Sequence, residues 1–367
     1  MADMHPSADI FCLWNDDPTR YPQQSVTESW IARSRLRSSK ALALPMMPKL
    51  WRNVDVSNYD WVLVSSHLFA HHVGRSLADR ETKVFAYVHT PARYIWEPQH
   101  DQRGKNPLVR AIAPFYRRTD RRRAGDGVRF AANSAFVQDR IRRTWGQPSE
   151  VIPPPVAIDK LQDQQSWADL LDGEDLRIFE GLPTEFILGA SRFVPYKLLE
   201  SVILLGQKAR IPVVIAGSGP QEKALRDVAN QVSVPVSFVD RPSNSLLYAL
   251  YQRAAAYVFP PVEDFGIMPV EAMALGTPVL VNSQGGAGEA VKRLHGGRAV
   301  DRFDDDTAVR ALNDVMATDM SEARTVAQYY SEENFKRRVE KWTGVAIDPS
   351  ARAESEKEPG SNHAAAE

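Results

Sequence analysis

Between Phe259 and Leu280 the chain reads FPPVEDFGIMPVEAMALGTPVL. A short apolar run, Tyr257 to Phe259, reads as a buried strand, and two prolines with the acidic pair Glu263 and Asp264 end it. From Ile267 to Leu275 the residues favour helix, with Pro269 in the first turn, where a missing N–H costs least. Gly276 stops that helix, Pro278 follows, and a second strand starts at Val279. Glu263 and Glu271 therefore stand eight positions apart on either side of a helix N-terminus. The first amides of a helix have no internal partner and carry positive partial charge, and Gly266 has no side chain to keep a ligand from them. A phosphate or a polar sugar suits such a place, with a carboxylate accepting from hydroxyls on each side. An ordinary strand–loop–helix with solvated acids fits the same local pattern equally well.

At 367 residues and 43% hydrophobic content, the chain is long enough for two domains of ordinary size. The single cysteine, Cys12, excludes an internal disulfide and any multi-cysteine metal site, which fits a reducing compartment. No apolar run is long enough to cross a bilayer and the opening residues do not read as a secretory signal, so a cytoplasmic protein is expected. Residues 1–160 carry a net charge of +8 and the remainder −9, which points to different partners for the two halves. Drift in surface composition and an acidic tail produce the same asymmetry.

Working outward, short apolar strands alternate with helical stretches on both sides of the opening segment. In the first half they are Ile10 to Leu13, Trp61 to Ser65, Lys83 to Val88 and Arg129 to Ala132. This pattern implies a parallel sheet with helices on both faces, and ligands of such sheets bind at the carboxyl ends of strands. Ser66, His67, His89, Asn133 and Ser134 occupy positions of that kind. Three successive prolines in VIPPPVAIDK make a stiff connection, and the polar segment after it, up to Gly181, is expected to be peripheral. The second half repeats the pattern with strands at Phe186 to Gly189, Val213 to Ala216, Val236 to Val239, Tyr257 to Phe259 and, last, Val279 to Asn282. Ser331 is placed to cap a helix with Phe335, Val339 and Trp342 on one face.

The expected division is a Rossmann-like domain over residues 1–155, a second over 156–330, a helix over 331–345 packing back toward the first, and a disordered tail over 346–367. The cleft between the two halves is the default active site.

Arg192 and Lys197 bracket Phe193-Val194-Pro195-Tyr196 at a strand-to-helix junction, where a guanidinium and an ammonium suit a diphosphate. Two solvated surface cations are the plainer reading of that pair, and the turn Gly217-Ser218-Gly219-Pro220 is equally common as mere strand-to-helix geometry. Taken in order, however, SRFVPYK, IAGSGP and EDFGIMPVEAMALGTPVL resemble the C-terminal domain of family-four retaining glycosyltransferases of the GT-B fold. In the first half, HPSADIF, SSHLFAHHV, YVHTPARYIWEP and VIPPPV look like the branch that includes bacterial GDP-mannose mannosyltransferases of surface-polysaccharide assembly. The resemblance covers about residues 5–345. One departure is Leu198, where a glycine often follows the lysine.

The resemblance implies an α/β protein of two doubly wound domains facing across a cleft, the second binding a nucleotide-sugar donor. It implies that Arg192 and Lys197 grip the donor diphosphate, Glu263 contacts the transferred hexose and Glu271 the ribose hydroxyls. Phe265, Gly266, Ile267 and Met268 would line the hexose site, Gly217 and Gly219 would belong to the nucleotide-sugar site, and His89 would lie beside the sugar. The reaction implied is retaining transfer of a hexose, mannose from GDP-mannose first and a UDP- or ADP-linked sugar next, to a glycan or lipid-linked acceptor. No cofactor or metal is implied, since the two cations do the work of one, and no Asp-x-Asp segment flanks an apolar strand; Asp304-Asp305-Asp306 lies in a late polar loop.

Two features complicate this expectation. The run from Arg103 to Arg123 holds eight Lys and Arg against one Asp, with Leu108, Ile112 and Tyr116 at helical spacing. That suits a basic amphipathic helix on an anionic membrane surface, or a solvated helix pairing with the acidic half. Nucleic acid is not expected, because aromatics do not interleave the basic residues on one face. Relatives of this kind also begin with a strand, a glycine-rich turn and a helix before the segment matching HPSADIF, and the expectation is a first domain lacking that unit. A non-catalytic subunit of the same fold is the competing function.

Overall fold

The structure, a computed structural model, describes residues 1–38, 40–74, 81–97 and 107–348. It divides into two compact units, one of residues 1–153 with the chain from Phe335, the other of residues 154–334.

Among the described residues of the first unit, β1 (Ile10–Cys12) and β2 (Val26–Glu28) form a parallel pair. A separate parallel sheet runs in the order β3 (Trp61–Ser66), β4 (Lys83–Val88), β5 (Arg129–Ala132), β6 (Ser149–Val151). Strand β4 is apolar throughout because both faces are covered, and its side chains alternate between two cores. Val84, Ala86 and Val88 pack with Val137, Ile141 and Trp145 of the helix Ala135–Trp145. Phe85 and Tyr87 face Phe335, Val339 and Trp342 of the helix Glu332–Thr343. Burial of those three helix side chains is worth on the order of 6 kcal/mol before entropy is counted. The Ala135–Trp145 helix starts where Ser134 Oγ accepts from the Val137 amide and stops at Gly146 in the left-handed region. Ser331 likewise accepts from the Asn334 amide at 3.3 Å. Ile347 is buried in the same core and the Asp348 amide donates to Met4 O, so order persists beyond 346; residues 349–367 lie outside the described residues.

The interior of this unit turns on one carboxylate. Asp120 Oδ2 accepts from the indole nitrogens of Trp96 and Trp145, each at 2.7 Å, while Oδ1 lies 2.9 Å from His72 Nε2 and 3.1 Å from His71 Nε2. Burial alone would raise the Asp120 carboxyl; the His71 and His72 rings outweigh it and hold the group well below its ordinary value. Burial, with the His71 ring alongside, lowers His72 to about 4. The helix Pro107–Ala124 that carries Asp120 is therefore anchored inward. Ile112 and Tyr116, two positions of the apolar stripe expected to suit a membrane, pack into the core with Phe69 and Ile95 instead. The Leu108 side chain and residues 103–106 lie outside the described residues.

In the second unit six strands form one parallel sheet among the described residues: β7 (Ile187–Ala190), β8 (Val213–Gly217), β9 (Val236–Asp240), β10 (Ala256–Phe259), β11 (Val279–Asn282) and β12 (Gly297–Val300). Their order is β12-β11-β10-β7-β8-β9, so the chain reverses its direction of travel at β7, between β8 and β10. Period-two alternation sends Leu188, Val214, Tyr257 and Val279 to one core and Ile187, Val213, Val258 and Leu280 to the other. Two expectations need correcting here. The sheet does not end at Val279–Asn282, because β12 pairs with β11; its GRAV sequence opens on glycine and carries an arginine, too little apolar signal to read as a strand. The segment up to Gly181 is not peripheral, because Ile158, Leu161, Trp167, Leu171 and Phe179 are buried in the core. Its apolar residues are scattered over short turns, where helical periodicity has no length to show.

The Asp120 cluster makes a direct prediction. Asp120→Asn removes the charge that the two indoles and two imidazoles surround and replaces one acceptor oxygen by an N–H₂, and should cost about 3 kcal/mol. Urea unfolding at pH 7 measures it; a loss under about 1 kcal/mol would show that the carboxylate is dispensable.

Candidate functional site

The carboxyl edge of the second unit's sheet gathers the chemistry. After β7, Arg192 leaves the strand and Phe193 turns into the core. The single 3-10 turn Pro195–Lys197 follows, and Leu198 adopts the left-handed region at φ +54 before the helix Leu199–Ala209. After β10, the loop carries Glu263 to the start of the helix Ile267–Ala274. Lys197 Nζ donates to Glu263 Oε1 at 2.6 Å, and the two side chains are 12% and 22% exposed. The ammonium also lies 5.7 Å from the Phe259 ring centroid. Arg192 is exposed, and its Nη2 donates to Tyr196 Oη at 3.1 Å. Lys197 and Glu263, 66 residues apart in sequence, thus meet at one sheet edge, with Arg192 on the same loop as Lys197.

Backbone contacts hold these loops. A Cβ at Gly217, where φ is +133, would collide with the Ser191 carbonyl oxygen. The turn after β8 therefore lies flat on the loop after β7, closed by Phe193 N–H to Ser218 O at 2.7 Å and Gln221 N–H to Phe193 O at 3.0 Å. Gly285, at φ +99, does the same for the next pair of loops: its Cβ would run into the Glu263 backbone, and the Gly286 amide donates to Glu263 O at 2.8 Å. Gly217 and Gly219, expected from the resemblance to belong to the nucleotide-sugar site, are thus required by the packing of Arg192's loop whether or not a donor binds.

Glu271, one turn inside the Ile267–Ala274 helix, is partly buried among Tyr248, Tyr251 and Tyr257, and burial raises its carboxyl to about 7. The Tyr257 hydroxyl donates to Ala190 O at 2.9 Å, tying β10 to the end of β7. Gly266 caps the helix at φ +93, Ile267 is 45% exposed, and the Met268 sulfur lies 3.7 Å from the Tyr257 hydroxyl. The Phe265 ring faces the core against Tyr330, so it has backbone rather than ring to offer a ligand.

His89 belongs to the first unit, at the end of β4. Its Nε2 lies 2.9 Å from Ser65 Oγ, its ring edges against Tyr87, and its carbonyl accepts from Asn133 Nδ2 at 3.1 Å. Nearby, Arg140 bridges Thr90 Oγ1 at 2.8 Å and Glu97 Oε2 at 2.9 Å, a buried link that widely separated residues gave no way to foresee. Tyr196 escaped the sequence reading too, although its place between Arg192 and Lys197 was the available signal.

Among the described residues one group combines ligand types for a metal: His71, His72 and Asp120. Its Asp120 carboxylate already takes four neighbours in the core of the first unit. The run Asp304-Asp305-Asp306 is divided among separate tasks: Asp304 pairs with Arg302, Asp305 caps a helix through the Ala308 amide, and Asp306 meets Lys208.

Two family models match the chain. Residues 3–160 match the glycosyltransferase family 4 domain and residues 177–334 the glycosyl transferases group 1 domain. The chain is 32% identical over 213 residues to a GDP-mannose-dependent alpha-(1-6)-phosphatidylinositol monomannoside mannosyltransferase of Mycobacterium tuberculosis, covering 51% of this chain and 54% of that one. It is 29% identical over 292 residues to a D-inositol 3-phosphate glycosyltransferase of Streptomyces scabiei, covering 73% and 62%. The chain thus spans less than two thirds of the length of these curated relatives. Among solved structures, sucrose-phosphate synthase of Thermosynechococcus elongatus superposes with a TM-score of 0.65 at 19% identity, over 92% of this chain and 88% of that one. HepE of Anabaena, in complex with UDP, superposes at 0.61 and 17% identity, over 88% and 87%. These structures share the two-domain GT-B fold.

The raised Glu271 carboxyl has a measurable signature. An acid that titrates at 4.5 when unfolded and about 7 when folded contributes stability below pH 4.5 that is lost as pH rises through 7. The parent should lose up to about 3 kcal/mol relative to Glu271→Gln between pH 4.5 and 8. Parallel unfolding curves for the two proteins across that range would remove the assignment.

Proposed function

We propose, on the premise that this chain belongs to the glycosyltransferases built from a family 4 and a group 1 domain, that it moves a hexose from a nucleotide sugar to a glycan or lipid-linked acceptor with retention of configuration and without a metal. The observation that carries the reading is the Lys197–Glu263 pair beside Arg192 at the mouth of a helix N-terminus. In the resting site the ammonium is held by the carboxylate. A diphosphate replaces Glu263 as the partner of Lys197, and the released carboxylate accepts from a hexose hydroxyl. Arg192 takes the second phosphate, the amides after Gly266 face the leaving group, and Glu271, which burial keeps partly protonated at neutral pH, accepts from the ribose in its ionised form.

Charge grows on the diphosphate as the glycosidic bond breaks, so cations set in place beforehand stabilise the transition state more than the ground state. The acceptor hydroxyl attacks the face the diphosphate leaves, and its proton passes to a departing phosphate oxygen. His89 is assigned to the sugar's surroundings. The mycobacterial relative supports GDP-mannose as donor; the UDP held by HepE supports a UDP-sugar as the second choice.

No described helix is long and apolar enough to cross a membrane. A peripheral contact with an anionic surface remains part of this reading, moved to a different stripe. Phe115 is 70% exposed, and Arg118 and Arg122, three and seven residues on, share its helix face and are exposed too.

Two experiments test these statements. Donor turnover, followed by release of GDP, UDP or ADP with a lipid-linked acceptor, should persist in EDTA and fall about 100-fold or more in Lys197→Ala. Manganese-dependent turnover would overturn the metal-free reading, and nucleotide binding without turnover would mark a donor-binding subunit. Co-sedimentation with phosphatidylglycerol vesicles at low salt should weaken several-fold, about 3- to 10-fold, in Phe115→Ser. Equal partitioning of parent and variant would end the membrane proposal.

A further inference from the structure

We infer that Tyr196 is a positioning residue that holds Arg192 and Lys197 in register for one diphosphate, an inference that rests on the donor-site reading above. Both cations sit on long side chains, and such chains lose rotamer freedom when a ligand fixes them. Tyr196 touches each of them. Its hydroxyl accepts from Arg192 Nη2 at 3.1 Å, and its ring centroid lies 5.2 Å from Lys197 Nζ. The same ammonium meets Glu263 Oε1 at 2.6 Å and lies 5.7 Å from the Phe259 ring centroid. Arg192, Tyr196, Lys197 and Glu263 thus form one connected set running from the loop after β7 to the loop after β10.

The backbone beneath Tyr196 is equally constrained. Pro195 opens the 3-10 turn with its φ preset, and Leu198 closes it in the left-handed region, where a branched side chain is strained. Tyr196 itself is 47% exposed, so core packing does not account for an aromatic residue there. Because its oxygen accepts from Arg192, the phenolic proton is left to donate elsewhere, and a phosphate oxygen between the two cations is the partner that suits it. The ring restrains Lys197 through a cation–π contact, whereas the hydroxyl restrains Arg192, so the two roles are separable by substitution.

The test uses Tyr196→Phe and Tyr196→Ala in the full chain, with GDP, UDP and ADP titrated calorimetrically into each protein. The nucleotide bound best by the parent should bind about 5-fold more weakly to Tyr196→Phe, which keeps the ring, and about 30-fold more weakly to Tyr196→Ala. In the transfer assay kcat should fall in the same order while the acceptor KM stays unchanged, a split that general loosening of the fold would not produce. Urea midpoints should stay within error of the parent, since the side chain is half in solvent. Unchanged nucleotide affinity in both variants overturns the inference while leaving the donor-site reading intact. Failure of the parent to bind any of the three nucleotides overturns that reading and this inference together.

Discussion

Backbone lying directly on backbone at the carboxyl edge of the second sheet is the contact on which the candidate site depends. The turn after β8 rests on the Ser191–Phe193 segment, and the turn after β11 rests on the Glu263–Phe265 segment. Either crossing fails if a Cβ is added at Gly217 or Gly285. Side-chain contacts would leave these loops free to slide by fractions of an ångström, whereas amide-to-carbonyl bonds at 2.7 to 3.0 Å fix them. The 2.6 Å pair between Lys197 and Glu263 is a consequence, since it needs the two loops held at a constant separation.

The two units solve the problem of buried charge in opposite ways. Asp120 is enclosed and saturated, with two indoles and two imidazoles around one carboxylate, and this ties the basic helix Pro107–Ala124 to the helices on either side. Such a group is useful for holding a shape and has no capacity left for a ligand. Lys197 and Glu263 are paired but reach solvent, and Glu271 has its charge suppressed by burial with no cation assigned to it. Groups in that condition gain from a partner that arrives later, which is what a binding site requires. The histidine pair His71 and His72 shows how misleading composition can be here. As residue types they invite a site at the end of a strand; in the fold they serve the interior.

Much of the architecture was legible because parallel strands buried on both faces leave an unmistakable trace. KVFAYV, VVIAG and VLVN are continuous apolar runs, and glycine or proline marks their ends. Where that trace weakens, sequence reading loses the element. Strand β12 begins with glycine and carries Arg298, so it looks like a turn until it is seen paired with β11. Trp167 and Phe179 lie in a segment whose apolar residues follow no clear period, and only the fold shows that they meet Tyr248 and Arg253 in space. The stripe Ile112 and Tyr116 turns inward for a related reason: helical spacing tells which residues share a face, and says nothing about which face meets the core.

The sequence by itself determined the alternation of strand and helix, the order of the motifs and the residue types at the carboxyl edge of the second sheet. Strand ends are where a parallel sheet delivers loops, which made Arg192, Lys197, Glu263 and Glu271 candidates one by one; only the order of the motifs, through the family they resemble, joined them as a set. Tertiary structure alone decided that Lys197 and Glu263 are each other's partners, that Tyr196 joins the set, and that Gly217 and Gly285 serve loop crossings. It also turned Phe265 inward and raised Glu271. Apart from Tyr196, whose partners lie within four residues and whose role turns on side-chain direction, those outcomes depend on distances between segments 20 to 70 residues apart and on how completely water is excluded, quantities that no local pattern of residues encodes.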